Sequence, residues 1–174
     1  LKARLLKFYP ALSNGATKLQ LTLGSVRSIQ VSVIGAVKKP GTVTMPSIAT
    51  LFNALYASGG PLDNGSFRNI ELIRNSKVLV VADLYEFIVK GDQRANLSLQ
   101  DNDVIRVPYA QSQIILHGGL NRTGIFEMKN NESVAQAFEY AGGFKSNAFR
   151  GAVSGTRFTD RQQSIIDVNK EKFS

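Results

Sequence analysis

The sequence contains no cysteine and a single histidine among its 174 residues. Without thiols there is no disulfide, no thiolate metal site and no cysteine nucleophile. The compartment stays open on that count. Nucleophilic hydrolysis of the serine kind needs a histidine base beside the nucleophile and an acid to orient it. The lone His117 falls in the strand expected before Gly118-Gly119 and reads as a packed or edge residue. No G-x-S-x-G elbow or phosphate loop occurs. No apolar run approaches the roughly 18 residues of a membrane helix. The chain opens at Leu1, with neither an initiator methionine nor a signal-peptide pattern, and reads as an excised fragment.

A surplus of positive charge is present: 21 Lys and Arg against 13 Asp and Glu, a formal net charge of +8. That balance favours an anionic partner, whether nucleic acid, phospholipid head groups or an acidic polymer. The basic residues are spread out, with no block of five or more, and an ordinary solvated surface is the better account of them. Hydrophobic residues make up 43% of the chain, enough for two small cores at this length.

The strongest signal is an internal repeat. Val31 to Gly60 reads strand, turn, strand, helix, glycine stop, and Ile114 to Gly143 reads the same way. Gly35 and Gly118, Gly41 and Gly124, Met45 and Met128, Gly59-Gly60 and Gly142-Gly143, and Arg74 and Arg157 all differ by 83 (118 − 35 = 83). A fixed offset over this length means two copies of one unit. Lys39-Pro40-Gly41-Thr42 predicts a type II turn, with Arg122-Thr123-Gly124-Ile125 as its counterpart. Val31, Val33, Gly35 and Val37, then Val43 and Met45, alternate as in a half-buried hairpin. Ile48, Leu51, Phe52 and Leu55 form a helical stripe, repeated by Val134, Phe138 and Ala141. Thr50 and Ser133 are the expected N-caps, Ser133 with Gln136 as a capping box. Both helices run into Gly-Gly, where a left-handed residue would end them.

Outside these stretches, Leu1 to Phe8 predicts a short basic helix and Leu19, Leu21 and Leu23 a strand. Asn69 to Arg74 and Lys77 to Val81 predict two strands about Asn75-Ser76. Asp83 caps a helix from Leu84 to Lys90, stopped by Gly91, and Asp101 to Asp103 turn into a closing strand, Val104 to Val107. The order predicts an α+β fold of two tandem β-grasp-like domains, each a small mixed sheet crossed by a helix. The expected divisions are an N-terminal segment 1–29, the remnant of a preceding domain, a first domain 30–109 and a second domain 110–174. The counterpart of Val104 would lie near 187 (104 + 83 = 187), so the second domain is expected to lack its closing strand, cut away or supplied by a neighbouring chain.

Other chemistry finds little support. Asp101 and Asp103 are the closest carboxylate pair, but they sit in a turn, where Asp is favoured for backbone reasons. Glycosidases need two carboxyls roughly 5–10 Å apart across a cleft. Phe67-Arg68 and Phe149-Arg150 would suit base stacking beside a basic face, yet each equally fits a strand edge with a buried Phe and an exposed Arg. Nucleic acid is not the expected partner.

Val31, Val33, Gly35, Val37, Pro40-Gly41, Ala57-Gly59-Gly60, Arg74 and Asp101-Asp103-Val104-Ile105-Val107 together resemble the soluble-ligand-binding β-grasp (SLBB) repeat. The tandem, preceded by Leu23 to Ile29, is similar to the periplasmic part of outer-membrane polysaccharide export proteins. The family often has Glu after the first Gly, where this chain has Ala36 and Gly119. Thr123 replaces the Pro of the first copy, and Asn102 stands where the family usually has Gly.

The resemblance implies a non-catalytic scaffold without cofactor or metal. It implies a periplasmic, outer-membrane-associated protein of a Gram-negative bacterium, forming a homo-oligomeric ring for capsule or exopolysaccharide in its full-length form. An inner-membrane polysaccharide co-polymerase is a further implied partner. Lys38, Arg74, Arg122 and Arg157 become candidate contacts to an acidic glycan, although repeated positions also recur for packing. The alternative is a small soluble-ligand or glycan-binding module.

Overall fold

The computed structural model describes Gly24, residues 26–149, and the backbone of two further strands, Ser154–Thr159 and Gln162–Asp167. The helix expected over Leu1 to Phe8 and the strand over Leu19 to Leu23 lie outside the described residues.

In the first unit, β1 (Ser28–Gly35) pairs antiparallel with β2 (Gly41–Pro46). Helix α1 (Leu51–Ala57) follows, then the antiparallel pair β3 (Ile70–Arg74) and β4 (Lys77–Ala82). Asn75 and Ser76 both take positive φ, 51° and 60°, the geometry a two-residue hairpin needs to match strand twist. Helix α2 (Leu84–Lys90) leads on to β5 (Val104–Val107), which runs parallel to β1 and antiparallel to β3. The sheet order is β2-β1-β5-β3-β4, a mixed sheet as expected.

Side-chain period explains what the sheet buries. Ile29, Val31 and Val33 point to one face and are buried, as are Leu72 and Ile105 on neighbouring strands. Leu51, Ala54 and Leu55 of α1 close over that face. At roughly 25 cal/mol per Å2, this burial is the main stabilising term for the unit. Ile48 does not join the helical stripe: α1 starts only at Leu51, and Ile48 is exposed.

The second unit repeats the plan. Strands β6 (Gln113–Leu116) and β7 (Gly124–Glu127) form a hairpin, followed by helix α3 (Val134–Tyr140). Phe138 and Ala141 pack with Leu116 and Leu120, whereas Val134 lies on the solvent side of the first turn. Ser133 and Gln136 form the expected capping box. Ser154–Thr159 (β8) and Gln162–Asp167 (β9) pair as a separate ribbon. Among the described residues, no strand links β6 to β8 as β5 links β1 to β3.

The expected type II turn is replaced by a wider loop in both units. The loop is held from the side by the helix terminus. Lys38 N–H donates to Gly60 O at 3.1 Å and Lys39 N–H to Ser58 O at 3.0 Å. The second unit repeats this with Asn121 to Gly143 O at 3.0 Å and Arg122 to Ala141 O at 2.9 Å. These bonds outcompete a closed four-residue turn. Gly41 and Gly124 instead open their strands at φ 143° and 146°, a backbone region that essentially only glycine enters without strain. The paired glycines after each helix do take left-handed φ, as expected. His117 lies one residue past β6 and is exposed, outside the strand that was expected to contain it.

Candidate functional site

The two units meet at one arginine. The chain after α1 runs through Pro61 to Asn69 before entering β3, and its turn places Arg68 inward, only 3% exposed. This reverses the expectation of a buried Phe67 beside an exposed Arg68. The reason lies across the junction, in carboxylates that sequence distance hides. Arg68 is paired with Asp83 at 3.1 Å and with Glu132 of the second unit, all three side chains being largely withdrawn from solvent. Its guanidinium carbon also lies 4.8 Å from the ring centre of Tyr85 and 4.9 Å from that of Tyr140, close enough for cation–π attraction.

Glu127, at the end of β7, reaches the same turn with its second carboxylate face. It accepts from Ser66 Oγ at 2.7 Å and from the backbone N–H groups of Phe67 and Arg68 at 2.7 and 3.1 Å. Its own backbone N–H donates to Tyr85 Oη at 2.9 Å. Lys129 Nζ pairs with Asp83 at 2.8 Å, and Tyr140 Oη donates to Glu132 at 2.7 Å. Asp83 has two duties, since its other oxygen caps α2 at Tyr85 N–H. No buried side-chain polar atom among the described residues is left without a partner.

The charges fix one another. Burial alone would raise the carboxyls of Asp83 and Glu132, but hydrogen bonds from Arg68 override it. Lys129 adds to the effect at both, so Asp83 lies below the usual carboxylate range and Glu132 is held at about 2. Burial pushes the Tyr140 hydroxyl up to about 12, aided by the Glu132 carboxylate that takes its proton in a hydrogen bond.

Beside this joint runs a groove of about 420 Å3. Phe67, Tyr85, Phe126 and Tyr140 give it an aromatic wall, and the exposed Ile88, Val89 and Ile125 an aliphatic one. Asp63, Gln113 and Arg122 supply its polar groups. Gln113 Nε2 donates to Asp63 O at 2.7 Å, tying the units together at the groove.

The four basic residues singled out from sequence have different settings. Arg74 is engaged with the buried Asp103 through two bonds of 2.8 Å and with Ser98 O at 3.1 Å. Lys38 is exposed in the loop after β1, its stem against Gly59. Arg122 lines the groove and makes no side-chain hydrogen bond or ion pair among the described residues. The side chain of Arg157 lies outside the described residues. Asp101 and Asp103 are backbone caps, accepting from Gln30 N–H at 2.8 Å and Gln100 N–H at 2.7 Å. Sequence reasoning missed Glu127, Glu132 and Tyr140, placed Arg68 on an exposed strand edge, and saw Asp83 only as a helix cap.

Two repeated α+β units, joined through a buried ionic contact with a groove beside it, define a tandem-module protein of the binding or scaffold kind. Residues 29–107 match one family model of the SLBB domain, and residues 115–166 match a second SLBB-domain model. The chain therefore belongs to the SLBB-domain family and carries two copies in tandem, an arrangement typical of polysaccharide export proteins. SLBB domains are binding and scaffold modules rather than catalysts.

Proposed function

We propose that this chain is the periplasmic portion of a polysaccharide export protein at the outer membrane of a Gram-negative bacterium. Its two SLBB domains serve as a non-catalytic wall segment of a homo-oligomeric ring through which capsule or exopolysaccharide passes. An inner-membrane polysaccharide co-polymerase is the partner such a ring would meet.

The observation that carries this reading is the tandem itself, two SLBB domains joined across their junction by the buried ion pair of Arg68 and Glu132. A ring needs subunits whose shape is fixed before they associate, because head-to-tail contacts close only at one angle. The edge strand β4 adds support. Val78, Leu79 and Val81 are each about half exposed on it, and an apolar edge is a template for pairing with another chain. The test is the mass of the protein extracted from its envelope in mild detergent. A closed multimer is expected. A monomer at every concentration overturns the reading.

The groove favours a second reading, a module that binds a small ligand or glycan directly. A pocket of this size, mostly apolar with a few polar groups, falls in the ordinary range of about 300–1,000 Å3 for ligand sites. The two readings are compatible, since an export protein handles glycan.

A further inference from the structure

We infer that the groove between the two domains is a binding site for an anionic saccharide, with the acidic group of the sugar held by Arg122. The inference rests on the glycan-handling reading above and names what that reading leaves open, the place of contact and the chemistry of the ligand.

A pyranose ring has apolar C–H faces and a rim of hydroxyls that both donate and accept. The groove offers the complement of each. Phe67, Tyr85 and Phe126 supply an aromatic wall against which a C–H face can stack. The exposed Ile88 and Ile125 complete the apolar lining. The polar groups are of both kinds. Arg122 brings guanidinium donors committed to no other side chain among the described residues, and the Asp63 carboxylate is an acceptor equally uncommitted.

This mixture speaks against a wholly apolar ligand, which would leave Asp63 and Arg122 desolvated with nothing to bond. It also gives the charge preference a direction. Glu127, the other acid lining the groove, has both carboxylate oxygens taken by Ser66, Phe67 and Arg68. Arg122 is thus the charged donor left to a ligand, and a guanidinium matches a carboxylate or phosphate with two parallel hydrogen bonds. The chain's net charge of +8 attracts such a ligand from a distance. In the first domain Lys39 occupies the position of Arg122 (122 − 83 = 39).

The test is calorimetric titration of the chain with a short oligouronide and with a neutral gluco-oligosaccharide of equal length. Arg122→Gln and Ile88→Asp are titrated alongside the unsubstituted chain. Ile88 is 57% exposed and Arg122 is exposed too, so both substitutions are expected to leave the fold intact, which an unchanged unfolding curve verifies. The oligouronide is expected to bind and the neutral oligomer to bind at least about tenfold more weakly. Arg122→Gln should remove that difference, and Ile88→Asp, which puts a like charge in the groove, should abolish binding. Equal affinity for both oligomers, unchanged affinity in Arg122→Gln, or no heat at millimolar oligouronide each overturn the inference. Tight binding of decanoate in place of the sugar does so too. None of these outcomes touches the detergent-extracted mass, so the ring and the groove fail or stand separately.

Discussion

Arg68 and Glu132, 64 residues apart in the chain, form an ion pair across the domain junction with side chains only 2% and 8% exposed. Burying two charges costs several kcal/mol each, and their attraction repays it only if every remaining donor and acceptor is bonded. Here the surrounding groups supply that. Asp83, Lys129, Tyr85 and Tyr140 complete the set around the guanidinium.

Truncating Arg68 should therefore be costly. Arg68→Ala takes the guanidinium from two buried carboxylates, leaving Asp83 with Lys129 and Glu132 with neutral donors alone, with an expected loss of about 3 kcal/mol in denaturant unfolding. The segment joining the domains, residues 108–112, should also become open to limited proteolysis. Pairing the change with Glu132→Gln removes one stranded charge. The double variant is expected to lose less than the sum of the singles, a coupling of about 1–3 kcal/mol. Strict additivity would show that the pair does not hold the junction.

Acid should weaken the same joint. Glu132 titrates at about 2 in the folded protein against an ordinary 4.5, and Asp83 is also held low. A carboxyl depressed in the folded state contributes stability that is complete above its unfolded value. That contribution is lost as pH falls towards the folded value. Melting temperature is thus expected to fall as pH drops from about 4.5 towards 2. In Arg68→Ala the slope should be shallower. A wild-type melting temperature flat across that interval would contradict the ion-pair account.

Arg74 separates packing from recognition. Asp103 is 1% exposed and its carboxylate is bonded to Arg74 and to Gln100 N–H. Arg74→Ala should cost about 3 kcal/mol by leaving that carboxylate short of a partner. It should leave oligouronide affinity unchanged at a temperature where the variant is folded. Loss of saccharide binding with no loss of stability would place Arg74 at a ligand instead.

Equivalent glycines should respond unequally. Gly35 and Gly118 both sit at positive φ, 91° and 96°. A Cβ at Gly35 would come within 2.2 Å of Val107 O on β5, whereas at Gly118 it would meet nothing within 4 Å. Gly118→Ala should cost about 1–2 kcal/mol for backbone strain alone. Gly35→Ala must also push β5 aside and should exceed about 4 kcal/mol. Equal midpoints in urea would mean that β5 does not crowd Gly35.

What could be read in the sequence was local. The caps at Thr50, Asp83 and Ser133, the Asn75-Ser76 hairpin and the alternation of Val31 and Val33 each depend on a few neighbouring residues. The repeat then multiplied those signals. What could not be read depended on distant partners. Whether Arg68 is buried is decided by Glu132 and Tyr140, which nothing in Ser66-Phe67-Arg68 announces. The predicted type II turn failed for the same reason, because Ser58 and Gly60, some twenty residues on, hold the loop open. Arg122 was named for its charge and repeat position. Only the folded chain sets it beside an aromatic wall, while Arg74, named on the same grounds, is turned to Asp103.

Dissolved ions reach the protein's exposed pairs, such as Lys90 with Glu86, which are 61% and 36% exposed, and weaken them over a screening length of about 8 Å at physiological salt. They do not enter the contact at Arg68. The bond across the domain junction is consequently expected to keep its strength in salt that loosens the surface pairs.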